Sequence, residues 1–302
     1  MERLRHDDPT QVGPYVPLVR LDADSDHVSG PRAVPDRRYL ARTADGERTV
    51  LVCVPRVGAD PSRWALEAEG ARRLSVPGFL TVAEVGGTSG FPWHAAPYTP
   101  ALPLPAVLAA YGGPLPEDTV RVLGAALAQT LAGAHAQGVT HAGLSPAAVL
   151  VTSSGPLLTC FGATRAERTG HDPGCLAPEQ AAGAPPGPAG DLYALGAVLA
   201  YAATGHTVPE QSELPPGLRR LTAACLARDP ADRPMAREAL RELVLAGPSA
   251  DGGPSTATAL DHTGAPALPG RVVAALATQS AVLLAAELPL EQQPFAATQK
   301  VH

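Results

Sequence analysis

Over the first hundred positions, apolar residues recur in short, often alternating runs separated by turn-forming residues, which is the pattern of β-strands. VPLVRL (16–21), RRYLART (37–43) and ERTVLVCVP (47–55) are such runs, and Asp45-Gly46 between the last two marks a hairpin. Residues 60–74 switch to helical spacing, with Asp60 placed to cap and Pro61 at the first helical position. Two more strands are expected at 79–85 and 91–98, around Gly86-Gly87. From residue 102 the pattern turns helical. Val120, Leu123, Leu127 and Leu131 make a core-facing stripe within 116–137, and Gly138 follows as a stop. Residues 191–204 are apolar on all sides, as a helix buried all round would be, and Gly205 ends them. Further helices are expected at 218–228 and 235–246. The sum is a small, mostly antiparallel sheet with one helix, followed by a helical half.

Composition narrows what this fold can do. The chain has 302 residues, 45% of them hydrophobic, with 30 glycines and 33 prolines that call for long connections. Its net charge of −6 and lack of a basic stripe argue against nucleic acid as a partner. Cysteines occur at 53, 160, 175 and 225 with no C-x-x-C spacing, so no metal site is expected. Scattered cysteines and the charged start MERLRHDDPT fit a cytoplasmic protein without a signal peptide. The longest apolar run, 271–287, carries Gln279 and Ser280 and falls short of the roughly 20 residues of a membrane span. G-x-S-x-G and H-E-x-x-H are both absent.

The stretch HAGLSPAAVLVTSSGPLLTCFG (141–162) carries the frame of H-R-D-L-x-x-x-N followed by D-F-G. His141, Leu144, Pro146, Leu150, Phe161 and Gly162 fall in register. Downstream, Ala177-Pro178-Glu179 matches A-P-E, Asp191 opens the buried helix in DLYALG, and Arg233 lies in DPADRP. On these motifs the chain resembles a protein kinase, of the kind found as serine/threonine kinases in actinobacteria. The resemblance implies an α+β, two-lobed fold over 14–246, with a β-rich lobe at 14–98 and a helical lobe at 99–246. A linker (247–269), a helix (270–287) and a tail (288–302) would follow. It also implies a buried Glu179–Arg233 ion pair and an Asp191 that accepts hydrogen bonds from backbone near 141–143. His141 would be structural, packed under Phe161.

The chemistry of the resembled family is missing at its own positions. Ala142 stands for the Arg, Gly143 for the catalytic Asp, Ser145 for a Lys, Ala148 for the metal-binding Asn and Cys160 for the Asp of D-F-G. V-A-I-K aligns with Val50-Leu51-Val52-Cys53, so Cys53 replaces the phosphate-anchoring Lys. Lys300 is the only lysine, so no shifted one can serve. Arg56 is a conceivable substitute, but its planar head is not equivalent. The stretch 21–37, in place of a Gly-rich loop, has one glycine, Gly30, and four acids, Asp22, Asp24, Asp26 and Asp36, that would repel a triphosphate. Glu67 falls at the helix-C glutamate position without its Lys partner, and is expected to face solvent or pair with an arginine. Without Arg at 142, activation-loop phosphorylation is not an expected switch.

Three readings follow. The first is a catalytically inactive, pseudokinase-like module that binds or regulates a protein partner, such as a true kinase or its substrate, with no cofactor. The second is an active serine/threonine kinase using ATP and Mg²⁺ with atypical residues. The third is a metal-independent nucleotide or small-ligand sensor, in which hinge residues Ala96, Tyr98 and Thr99 would hold an adenine, although Pro97 lacks an N–H. Cys53 and Cys160 would then be either apolar filling or a redox pair, the latter requiring Cα atoms within about 7 Å. The last helix is expected to pack on the large lobe, bind a partner or lie on a membrane surface, the last being disfavoured by its lack of a basic polar face.

Overall fold

The structure, a computed structural model, describes residues 1–22, 36–56, 58–88, 90–166, 171–245 and 268–286. Strands β1 (Glu2–Arg3), β2 (Tyr15–Arg20), β3 (Asp36–Thr43), β4 (Thr49–Pro55), β5 (Glu84–Thr88) and β6 (Phe91–Pro97) form one antiparallel sheet in the order β1-β2-β3-β4-β6-β5. Helix α1 (Pro61–Arg72) packs against it, capped as its sequence predicts: Asp60 accepts from the Ser62 and Arg63 amides at 3.0 and 3.1 Å. Two-residue periodicity sorts β4 cleanly. Val50, Val52 and Val54 join Tyr15 and Tyr39 on one face, while Leu51 and Cys53 join Leu21, Leu40 and Trp64 on the other. The second face looks toward the rest of the molecule, so the alternation itself aims Cys53 inward.

Beyond β7 (Ala101–Pro103) the chain is mainly helical: α2 (Leu104–Tyr111), α3 (Glu117–Ala136), α4 (Ala163–Ala166), α5 (Pro178–Ala181), α6 (Pro188–Thr204), α7 (Pro216–Cys225) and α8 (Ala236–Leu245). Strands β8 (Val149–Thr152) and β9 (Gly155–Leu158) complete a small sheet with β7. Helix α6 is buried at nearly every position from Gly190 to Ala203, and Gly205 closes it in the left-handed conformation. The fold is α+β, with a β-rich N-terminal lobe and a helical C-terminal lobe.

Two expectations are corrected. Of 79–85, only Glu84 and Val85 are strand, and Gly86-Gly87 lie inside β5 rather than at its turn. The cause is Trp93 on β6, whose ring covers Gly86 so closely that a Cβ there would stand 2.5 Å from it. The C-terminal helix α9 (Gly270–Ala285) packs on both lobes, not the large one alone. Val272 and Leu276 enter the large-lobe core, and Leu283 enters the small-lobe core. Arg42 of β3 donates to the Leu283 and Ala286 carbonyls at 2.6 and 3.1 Å. Gln279 holds both backbone groups of Ala101, accepting from its N–H at 2.9 Å and donating to its carbonyl at 2.7 Å. All of the linker expected at 247–269 except its last two residues, and the tail at 288–302, lie outside the described residues, as do Asp24, Asp26 and Gly30. No described helix is long and apolar enough to cross a membrane.

Candidate functional site

The loop 141–148 is fixed from below by α6. Asp191, 3% exposed, accepts from the amides of His141 and Ala142 at 2.8 and 2.9 Å and bonds His135 Nε2 at 2.8 Å. His141 is fully buried, its ring 5.5 Å from Phe79 and 6.4 Å from Phe161, and burial holds its pKa at about 4. It is therefore a neutral packing residue at physiological pH. Arg233 grips Glu179 with two bonds of 2.7 Å, lies over the Tyr193 ring and donates to the carbonyls of Ala189, Ala227 and Arg228.

Where this frame would present reactive groups, it presents none. Gly143 has no room for a side chain, because a Cβ there would come 2.3 Å from the Cys160 carbonyl oxygen. Ala148 is fully buried. Ala142 and Cys160 both take left-handed backbone (φ 55° and 61°), a conformation Asp tolerates far better than Ala or Cys. Cys53 and Cys160 are free thiols, and burial raises both pKa values well above the ordinary thiol value, so neither is a thiolate near neutral pH.

Arg38 stands opposite Cys53 in the β3–β4 ladder, and its side chain is 0% exposed. Its Nε donates to Asp22 at 2.8 Å, and a second guanidinium nitrogen also meets that carboxylate. The rest of the head reaches across the cleft, to Thr159 Oγ1 at 3.0 Å and the Ala147 carbonyl at 2.9 Å. Burial opposes its charge, but Asp22 outweighs that and holds its pKa above the ordinary arginine value. Arg56, the conceivable substitute, donates to the Asp36 backbone carbonyl at 3.5 Å and lines a polar pocket that Arg38 and Asp22 also border. The available signal for Arg38 was strand period, since it lies two residues before Leu40 on the cleft-facing side of β3.

Glu67 of α1 pairs with Arg165 through bonds of 2.8 and 2.7 Å, and that guanidinium lies 4.8 Å from the Phe161 ring. Gly162 sits so close that a Cβ would strike the Glu67 carboxylate at 2.0 Å. At the hinge, Ala96 is paired with Leu51 in the β4–β6 ladder, and the Tyr98 amide is spent on the Thr49 carbonyl at 3.3 Å. The Tyr98 hydroxyl turns toward Gln279 and Ser280. Thr99 lines a shallow apolar hollow walled by Leu21, Leu40, Leu51, Leu150 and Leu157. This site does not fit Mg²⁺-ATP. Magnesium needs hard oxygen ligands, and the two positions that would supply them hold a methyl and a neutral thiol. Arg38 in the cleft is already bonded to Asp22.

A β-rich lobe and a helical lobe, with an Asp191-braced loop and a Glu179–Arg233 pair between and beneath them, define a protein kinase-like domain. No family model matches the chain. It is 34% identical to the probable serine/threonine-protein kinase PkwA of Thermomonospora curvata, over 80% of this chain and 35% of that protein. It is also 34% identical to the serine/threonine-protein kinase AfsK of Streptomyces griseus, over 76% of this chain and 31% of that one. The chain thus spans about a third of the length of the curated relatives it matches. A crystal structure of a mutant PknI kinase domain from Mycobacterium tuberculosis matches with a TM-score of 0.59 and 25% identity, covering 78% of this chain and 96% of that one. The chain belongs to the protein kinase-like superfamily, and its relatives carry the names of actinobacterial serine/threonine kinases.

Proposed function

We propose that this chain is a catalytically inactive protein kinase-like domain that acts in the cytoplasm as a regulatory or protein-binding module, without ATP or Mg²⁺. The observation that carries this reading is Arg38, fully buried opposite Cys53 in the β3–β4 ladder and bonded to Asp22, Thr159 and the Ala147 carbonyl. The one buried arginine of the cleft is thereby bonded to the protein's own groups. Gly143 adds weight, since the base position cannot take a side chain without moving the Cys160 carbonyl. Phosphoryl transfer needs positioned phosphates, metal charge and an oriented acceptor hydroxyl, and this cleft offers no group for any of the three. The partner in this reading is a protein, either a true kinase or its substrate, and nucleic acid plays no part.

The relatives' names favour a second reading, an active serine/threonine kinase that uses ATP with atypical residues. Incubation with labelled ATP and Mg²⁺, alone and with a generic Ser/Thr substrate, separates the two. The proposal expects no label on either protein above a heat-treated control. Transfer that survives repurification and scales with the amount of chain would establish the kinase reading instead.

A further inference from the structure

Three strands of the small lobe converge on side chains that the kinase-like frame does not use. Asp36 opens β3, Cys53 lies on β4 and His94 on β6, directly opposite Cys53 in the ladder. Asp36 is the diagonal neighbour of Cys53 on the same face. A carboxylate oxygen, the Cys53 sulfur and a His94 ring nitrogen all lie within 4.8 Å of one another. All three residues are buried, at 4%, 1% and 8% exposure.

Two of the three have unmet demands. His94 Nδ1 is buried with no hydrogen-bond partner among the described residues. The Asp36 carboxylate has one partner there, Trp64 Nε1 at 2.6 Å, and no cation. A buried carboxylate without a compensating charge is costly, by several kcal/mol. Trp64 also stacks on the His94 ring, with centroids 5.2 Å apart and planes 17° from parallel. One indole therefore orients two of the three side chains, as outer-sphere groups do around metals.

We propose that Asp36, Cys53 and His94 bind a divalent transition metal of the zinc class, with an open fourth position facing the cleft. Mixed nitrogen, sulfur and oxygen donors suit zinc and cobalt and exclude the hard cations calcium and magnesium. Bonds of about 2.0–2.3 Å place tetrahedral ligand atoms about 3.3–3.8 Å apart, so side-chain shifts of about an ångström close the site. On binding, the Cys53 thiol gives its proton to solvent and coordinates as thiolate. With the Asp36 carboxylate it balances the two metal charges, leaving a neutral buried centre. Asp36 and His94 line a small pocket that Cys160 also borders, which supplies the open side. The metal would tie β3, β4 and β6 together behind Arg38. This inference is independent of the catalytic reading.

The test is a titration of Co²⁺, as its chloride, into the chelator-treated 302-residue chain, followed by absorption. One equivalent is expected to bind, with a thiolate-to-cobalt charge-transfer band and the visible bands of tetrahedral cobalt, both erased by Zn²⁺. Cys53→Ser should abolish the charge-transfer band. His94→Gln and Asp36→Asn should each weaken binding at least about tenfold. Cys160→Ser should keep the band. Far-UV circular dichroism of the metal-free variants checks their folding; where one fails to fold, the titration of the natural chain still decides. Binding without a thiolate band, several weak equivalents, or equal affinity in all variants overturns the site.

Discussion

The large lobe and the interlobe cleft both bury arginine–carboxylate pairs, and they use them to opposite ends. In the large lobe, Arg233 and Glu179 join the segment after α4 to the segment before α8, and Asp191 braces the loop at 141–142. These contacts connect distant pieces of chain and leave the space around them defined. In the cleft, Arg38 and Asp22 lie where a ligand would need room, and their bonds consume it. The same chemistry builds a frame in one place and fills a void in the other. A fold can therefore keep the ion pairs that frame a kinase-like domain while the arginine in its cleft is bonded to the protein's own groups.

The comparison can be broken from the large-lobe side first. Arg233→Ala strips Glu179 of its partner and removes the guanidinium's bonds to three carbonyls, so it should cost about 3 kcal/mol in denaturant unfolding. That is the lower end for a buried pair, because the Glu179 side chain is 24% exposed. Arg38→Met in the cleft should cost about 2–3 kcal/mol by leaving Asp22 unpaired, yet it should not create Mg²⁺-dependent ATP binding, since Cys160 and Ala148 remain. Gln279→Leu removes two hydrogen bonds that Ala101 cannot replace, at about 1–2 kcal/mol. It should also speed proteolytic release of α9, read by limited digestion.

A smaller effect concerns pH. Hydrogen bonds from Arg233 hold the Glu179 pKa below its ordinary value of 4.5, against the opposing effect of burial. The unfolded chain therefore binds the proton first as acid is added. The stabilisation is complete above 4.5 and fades as the pH falls below it. Unfolding curves over this range should show a steeper loss in the natural chain than in Arg233→Ala. The smallest effect is a gain: Ala142→Gly relieves left-handed backbone costing about 1–2 kcal/mol while adding about 0.5–1 kcal/mol of chain entropy. The net should be a stabilisation of up to about 1 kcal/mol in thermal unfolding.

The large lobe was legible because its key residues sit in short motifs of fixed spacing. Glu179, Asp191 and Arg233 each announce themselves within a few neighbours, and Asp60-Pro61 likewise announces α1. The same register places Gly143, Ala148 and Cys160 in and after the braced loop and Cys53 on β4. What fills the cleft was not legible. Arg38 meets Asp22 across sixteen residues of sequence and Thr159 across 121, so no local spacing encodes either contact. Asp36, Cys53 and His94 come from three strands, whereas spacing rules for metal sites look for ligands close together in the chain. Gly86-Gly87 misled for a related reason, because glycine marks a turn and also marks a strand pressed against an indole.

The measurement that bears most directly on the central claim is a thermal-shift titration of the natural chain with ATP, with and without Mg²⁺. A cleft whose buried arginine is bonded to the protein's own groups predicts no change in melting temperature under either condition. A saturable, Mg²⁺-dependent rise would contradict that account, because it would require Arg38 to give up Asp22 and the cleft to find metal ligands this structure does not offer.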